Sequence, residues 1–187
     1  MKNRCKWVGE SELMISYHDN EWGKVLHDDQ KLFEFIVLEG AQAGLSWMTI
    51  LKRREGYRRV FENYEINKIS MYDESKFNLI LQDEGIIRNR QKVHSVIQNA
   101  KAFLKIQNEF GSFDKYIWSF TPDKKPIKNA WKNDSDIPAR TELSDQISGD
   151  MKKRGFGFFG STICYAHMQA TGMVNDHIVS CFRYNQV

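Results

Sequence analysis

The chain has 187 residues, 41% of them hydrophobic and 27% charged, which suits one globular unit spanning 1–187 and excludes bulk disorder. Its 27 Lys and Arg against 24 Asp and Glu give a formal charge of +3, a mild basic balance that permits a nucleic-acid partner without demanding one. No apolar run reaches the ~18 residues of a membrane span, the opening MKNRCKWVGESE has no signal-peptide core, and three cysteines cannot make a disulfide framework, so a cytoplasmic protein with no membrane partner is expected.

The predicted elements are helical. Asp28 or Asp29 caps a helix carrying Leu32, Phe33, Phe35, Ile36 and Leu38. Helices follow over 47–54 and 57–63. Asp73 caps another, with Phe77, Ile80 and Leu81 on its apolar face and Gly85 beyond its end. Residues 89–109 give the longest pattern, with Val93, Val96, Ile97, Ala100 and Leu104 on one face and Gly111 as its stop. Ser112 starts a short helix through Trp118. All three prolines fall in 120–140 among four lysines, marking one long loop. Thr141 then opens a helix to Arg154, 155–160 is a tight connection, and a last helix runs over 161–171 to Gly172. No segment alternates as a strand does, so the fold class is all-α.

Three constellations carry chemistry. The first fifty residues hold Trp7, Tyr17, Trp22, Glu39, Gln42 and Trp47. Aromatic rings beside a carboxylate can stack a flat cation and neutralise it, although buried tryptophans with an exposed Glu39 leave the same signature. Cys5 and His18 near one end, and His177 and Cys181 four residues apart near the other, make a set that suits tetrahedral zinc. They equally suit unrelated buried thiols and hydrogen-bonded imidazoles. The third constellation is MKKRGFGFFGS at 151–161: Lys152, Lys153 and Arg154 lead into three glycines, and a helix N-terminus follows. Glycines allow a sharp turn, and the free N–H groups of the helix can grip a phosphate, so Gly157 and Gly160 are candidate DNA contacts with the three cations. An ordinary helix corner with solvated lysines is the alternative. Further basic groups at 52–59 and at Arg88, Arg90 and Lys92 fit a wider phosphate-binding face.

The hairpin over about 141–172 resembles that of the helix-hairpin-helix DNA base-excision glycosylases. That superfamily carries a catalytic Asp just after the hairpin, where this chain has Asn175, and its lyase members carry a Lys where this chain has Ser161 or Thr162. C-x-W at 5–7, YHDNEWG at 17–23, LEGAQAGLSW at 38–47, GIIRNRQK at 85–92, KKRGFGFFGSTICYAHMQATG at 152–172 and VNDH at 174–177 together closely resemble the bacterial 3-methyladenine DNA glycosylase I family over nearly the whole chain. The resemblance implies a helix-hairpin-helix glycosylase fold in which one structural zinc, on Cys5, His18, His177 and Cys181, joins the two ends. It implies base recognition by Glu39, Tyr17 and Trp47, with Trp22 and Trp7 contributing. It also implies monofunctional hydrolysis of the N-glycosidic bond of 3-methyladenine, with alkylated double-stranded DNA as partner, the free base as product and a monomeric enzyme. Leu45 is the candidate wedge into the base stack. Met14 departs from members that carry a tyrosine there. A glycosylase with lyase activity and a damage-binding protein without catalysis are the alternatives, and no general base is apparent.

Overall fold

The computed structural model describes residues 2–187, which form ten α-helices and one two-residue strand pair. Helix α1 covers Glu12–Asn20, α2 Asp29–Gln42, α3 Trp47–Leu51, α4 Arg54–Val60, α5 Ile66–Ser70 and α6 Glu74–Ile80. Helix α7 is the longest, Arg90–Phe110, followed by α8 Phe113–Trp118, α9 Glu142–Lys153 and α10 Ser161–Ala170. Capping fixes most of the starts: Asp28, Ser46, Asp73, Asn89, Ser112 and Thr141 each accept a hydrogen bond from a backbone N–H in the first turn. Gly111, at φ +86°, closes α7.

Two expectations about element boundaries are corrected. The helix expected over 47–54 stops at Leu51, and α4 begins at Arg54 after Arg53 leaves helical geometry at φ −106°, ψ 1°. Within α4, Gly56 packs on the backbone of Gly85: a Cβ at Gly56 would sit 2.2 Å from the Gly85 carbonyl oxygen. The helix expected over 57–63 ends at Val60, because Glu62, Asn63 and Tyr64 all take positive φ. The chain is also not wholly without strands. Ile127–Lys128 (β1) pairs in parallel with Val174–Asn175 (β2), a ladder too short to show alternation in sequence.

The main core gathers around α2, α7 and α10, with Phe33, Phe103, Phe113, Ile36, Ile147 and Met168 among its buried members. A second apolar cluster forms where the two ends of the chain meet, from Cys5, Val8, Met14, Tyr17, Trp22, Phe35, Ile178 and Cys181. Between the clusters, Glu34 is buried against Arg54 at 2.7 Å, with Lys31 and Arg58 as further partners, and Arg54 also reaches Glu21 at 2.6 Å. Arg59 is paired with Asp83. Arg54, Arg58 and Arg59, which looked like part of a phosphate-binding face, are thus paired with carboxylates, tying α4 to α2 and to the turn that follows α6.

Candidate active site and metal centre

Helix α2 delivers Glu39 to the wall of a cavity of about 370 Å³, lined also by Trp7, Tyr17, Trp22, Gln42, Trp47, Asp134, Thr162, Ala166 and Gln169. The rings meet at angles: Tyr17 and Trp47 have centroids 5.2 Å apart, and Trp7 and Trp22 5.0 Å. The indole N–H of Trp47 is buried and has no hydrogen-bond partner among the described residues. Glu39 is only 4% exposed, and burial pushes its carboxyl up to about 8 with no neighbouring group offsetting it. Tyr17 is held well above its ordinary value, first by burial and then by Glu39. Among the described residues the lining contains no Lys, Arg or His. The cavity therefore presents aromatic faces and two carboxyl groups, Glu39 and Asp134, with no cation to balance them, which suits a flat, positively charged guest.

All five pocket residues expected from the sequence line this cavity. Met14 does not; it is buried in the cluster beneath. Leu45 is 39% exposed and lines an adjoining pocket with Ala43, Gly44 and Ile163, while Glu39, Gln42, Thr162 and Ala166 line both pocket and cavity. The sequence reading missed Asp134, Ile137, Pro138 and Ala139, which the long loop folds over one side, and the face of α10. The α10 contribution had a visible signal. Thr162, Ala166 and Gln169 recur at i, i+4 and i+7 as a small and polar stripe on an otherwise apolar helix.

Beside the cavity lies the metal-ligand set. Cys5, His18, His177 and Cys181 are all buried, and their ligand atoms lie within 4.8 Å of one another. Cys181 Sγ is 3.5 Å from both His18 Nε2 and His177 Nδ1, and Cys5 Sγ is 3.7 Å from His177 Nδ1. Both imidazoles are anchored from behind. His18 Nδ1 bonds Asp19 at 2.8 Å, and His177 Nε2 donates to the Trp22 carbonyl at 3.2 Å, which turns the opposite nitrogen of each ring inward as a ligand. Burial lowers His177 to about 4, so the neutral, ligating form prevails, and raises Cys5 to about 12. Two thiols and two oriented imidazoles fit a four-coordinate divalent ion that leaves no open position. The cluster also carries the pocket: Trp22 packs edge-on against His177 at 4.6 Å and Trp7 against His18 at 5.4 Å.

At the hairpin, α9 and α10 are joined through Gly155, at φ +99°, and Phe158, at φ +49°. Phe156 and Phe159 are buried beneath it. The expected role of Gly157 needs correction: its N–H donates to Asn99 Oδ1 at 2.8 Å, while its carbonyl accepts from Asn99 Nδ2 at 3.0 Å, so the N–H is not free for a phosphate. Arg154 is likewise engaged, bonding Asp150 at 2.6 Å and Glu109 at 2.7 Å. Lys152 and Lys153 are exposed, and Gly160 precedes the first turn of α10 with no side-chain cap. Asn175 faces away from the cavity; it donates to the carbonyls of Tyr184 and Val187 and accepts from the His177 N–H.

Comparison with known proteins agrees with this geometry. A family model described as methyladenine glycosylase matches residues 7–184. The chain is 47% identical over 181 residues to the DNA-3-methyladenine glycosylase 1 of Escherichia coli (strain K12), covering 97% of this chain and 96% of that one. A crystal structure of 3-methyladenine DNA glycosylase I superposes with a TM-score of 0.93 at 47% identity, covering 96% and 98% of the two chains. A tyrosine-to-phenylalanine variant of 3-methyladenine DNA glycosylase I, in complex with 3-methyladenine, also superposes at 0.93, with 30% identity and 96% of both chains covered.

Proposed function

Because the chain belongs to the methyladenine glycosylase family, we propose that it is a DNA glycosylase of base-excision repair that releases 3-methyladenine from alkylated double-stranded DNA and leaves an abasic site. The observation that carries this reading is the cavity with aromatic walls, two carboxyl groups and no cation. Methylation at N3 gives the adenine a positive charge and weakens its bond to the sugar. The base then leaves as a neutral molecule, so no general acid is needed to protonate it. That matches a chain whose residue at the superfamily's catalytic position is Asn175, engaged in backbone hydrogen bonds.

The flipped base enters past Leu45, whose side chain fills the gap left in the stack. Stacking on rings such as Trp47 contributes ~1–3 kcal/mol per base. Burial holds Glu39 at about 8; a cationic base favours its carboxylate form, which then accepts hydrogen bonds from the base and offsets its charge. Tyr17 adds a polar contact. Water attacks the sugar carbon. Ser161 and Thr162 offer no amine for a Schiff base, so hydrolysis is monofunctional. Zinc held by Cys5, His18, His177 and Cys181 is structural, one per chain: four protein ligands close its shell, and its chemistry is to join the ends and brace Trp7 and Trp22. Lys152, Lys153 and the first turn of α10 after Gly160 take the DNA backbone, in a helix-hairpin-helix grip. No described helix is long and apolar enough to cross a membrane; we place the enzyme in the cytoplasm, acting as a monomer on DNA.

The test is chromatography of bases released from methylated DNA, with borohydride present in a parallel reaction. Free 3-methyladenine without a trapped protein–DNA adduct is expected. A trapped adduct would establish lyase chemistry, and tight binding to methylated DNA with no release would establish a damage binder.

A further inference from the structure

We propose that Gln169 reads the bound base with its side-chain carbonyl, and that Asp176 is the positioning residue that sets the direction in which that amide faces. This rests on the reading of the cavity as a 3-methyladenine pocket. Asp176 is buried, and four donors converge on its two oxygens. Asn129 Nδ2 and Trp131 Nε1 reach Oδ1, each at 2.7 Å; the Tyr165 hydroxyl and Gln169 Nε2 reach Oδ2 at 2.6 and 2.8 Å. A carboxylate accepts and donates nothing, so the Gln169 amide must turn its NH₂ to Asp176. Its carbonyl oxygen is then left for the cavity that Gln169 lines.

Position along α10 decides what that oxygen meets. Thr162 and Ala166 line both the cavity and the adjoining pocket that holds Leu45, whereas Gln169, one turn further on, lines the cavity alone. With Leu45 as the wedge of the proposed function, the sugar stays on its side with the strand, and the base lies toward Gln169. Gln169 therefore faces the base, and as a fixed acceptor it favours a base with an exocyclic amine over one with a carbonyl at that edge. The pair 3-methyladenine and 3-methylguanine differs in this way at C6.

Asp176 can be tested for its hold on the amide. In Asp176→Asn, Trp131 can only donate, so the new carboxamide keeps its oxygen toward Trp131 and turns its NH₂ toward Gln169. Tyr165 accommodates this by rotating its hydroxyl. Gln169 must then flip, presenting NH₂ to the cavity. Release of both bases from methylated DNA is measured on the full chain. The wild type should favour 3-methyladenine. Gln169→Leu keeps the other three donors on Asp176, so it folds, and should lose roughly tenfold in kcat/KM for 3-methyladenine with little change for 3-methylguanine. Asp176→Asn should lower the 3-methyladenine to 3-methylguanine ratio below that of Gln169→Leu, and the double variant should match Gln169→Leu alone. An unchanged ratio in folded Gln169→Leu overturns the inference, as does Asp176→Asn acting equally with and without Gln169. A wild type that releases no 3-methyladenine overturns instead the functional reading beneath it.

Discussion

Replacing Glu39 with Gln should make the protein more stable near neutral pH and a poorer enzyme. Burial alone raises the carboxyl from 4.5 to about 8 in the folded chain, so between those values the native state holds a proton that the unfolded state has released. Stability then falls as pH rises through this window and levels off above it. The slope is about 1.4 kcal/mol per pH unit, which accumulates to roughly 3 kcal/mol by pH 7; water entering the cavity solvates the carboxylate and makes this an upper figure. The other ionisable groups at the cavity, Tyr17 and Asp134, supply no compensating positive charge. Gln has the same shape and no proton to lose. Urea unfolding of both proteins at pH 5, 6, 7 and 8 should show curves that nearly coincide at pH 5 and diverge steadily, the variant becoming the more stable. Excision of 3-methyladenine should meanwhile fall by roughly ten- to a hundredfold, the worth of hydrogen bonds to a charged group. Two stability curves separated by a constant offset would show that the carboxyl is not destabilised by its site, and the reasoning would be wrong.

Cys181→Ser removes one of four ligands from a site that joins both ends of the chain, so elemental analysis should show metal depleted and the thermal midpoint should fall by about 10 °C; an unchanged midpoint with equal metal content would refute the assignment. Lys152→Ala with Lys153→Ala should weaken binding to damaged and undamaged DNA alike and flatten the log–log salt dependence by about 0.9 for each phosphate no longer neutralised, leaving affinity for free 3-methyladenine unchanged. Arg154 is left out of that pair because Asp150 and Glu109 already hold it.

Local chemistry made much of this molecule legible from its sequence. Asp73 and Thr141 start helices because their side chains satisfy first-turn N–H groups, a matter of neighbouring residues, and the 3.6-residue pattern of α7 needs only itself. Helices α1 and α5 were not anticipated: each is short, and α1 buries Met14, Tyr17 and His18 against partners distant in the chain. The turn at 62–64 takes positive φ in residues that usually avoid it, which no local rule announces. In the site, the aromatic residues, Glu39 and the four Cys and His residues were visible by type, but it was the family resemblance, not their spacing, that joined them into a pocket and a ligand set. The wall at 134–139 was not visible, because its place is set by long-range hydrogen bonds, such as those from the Lys6 and Trp7 backbones to Asp134.

Those long-range bonds explain why the pocket is built at the junction of the two chain ends. Asp134 is tied to the N-terminal segment through Lys6 and Trp7, the Trp131 carbonyl accepts from the Val179 N–H, and the Trp131 side chain is held by Asp176. The loop that covers the cavity is therefore fastened to both termini, and the Cys/His cluster fastens the termini to each other. Burial strips the Glu39 carboxyl of water and holds it protonated near neutral pH. Those hydrogen bonds and the buried Cys/His cluster hold the walls of the cavity in place. A positively charged base entering the cavity would favour the Glu39 carboxylate, which no Lys, Arg or His of the lining otherwise stabilises. On the proposed function, selectivity for an alkylated purine over the neutral bases of undamaged DNA follows from that binding, without a residue dedicated to protonating the leaving group.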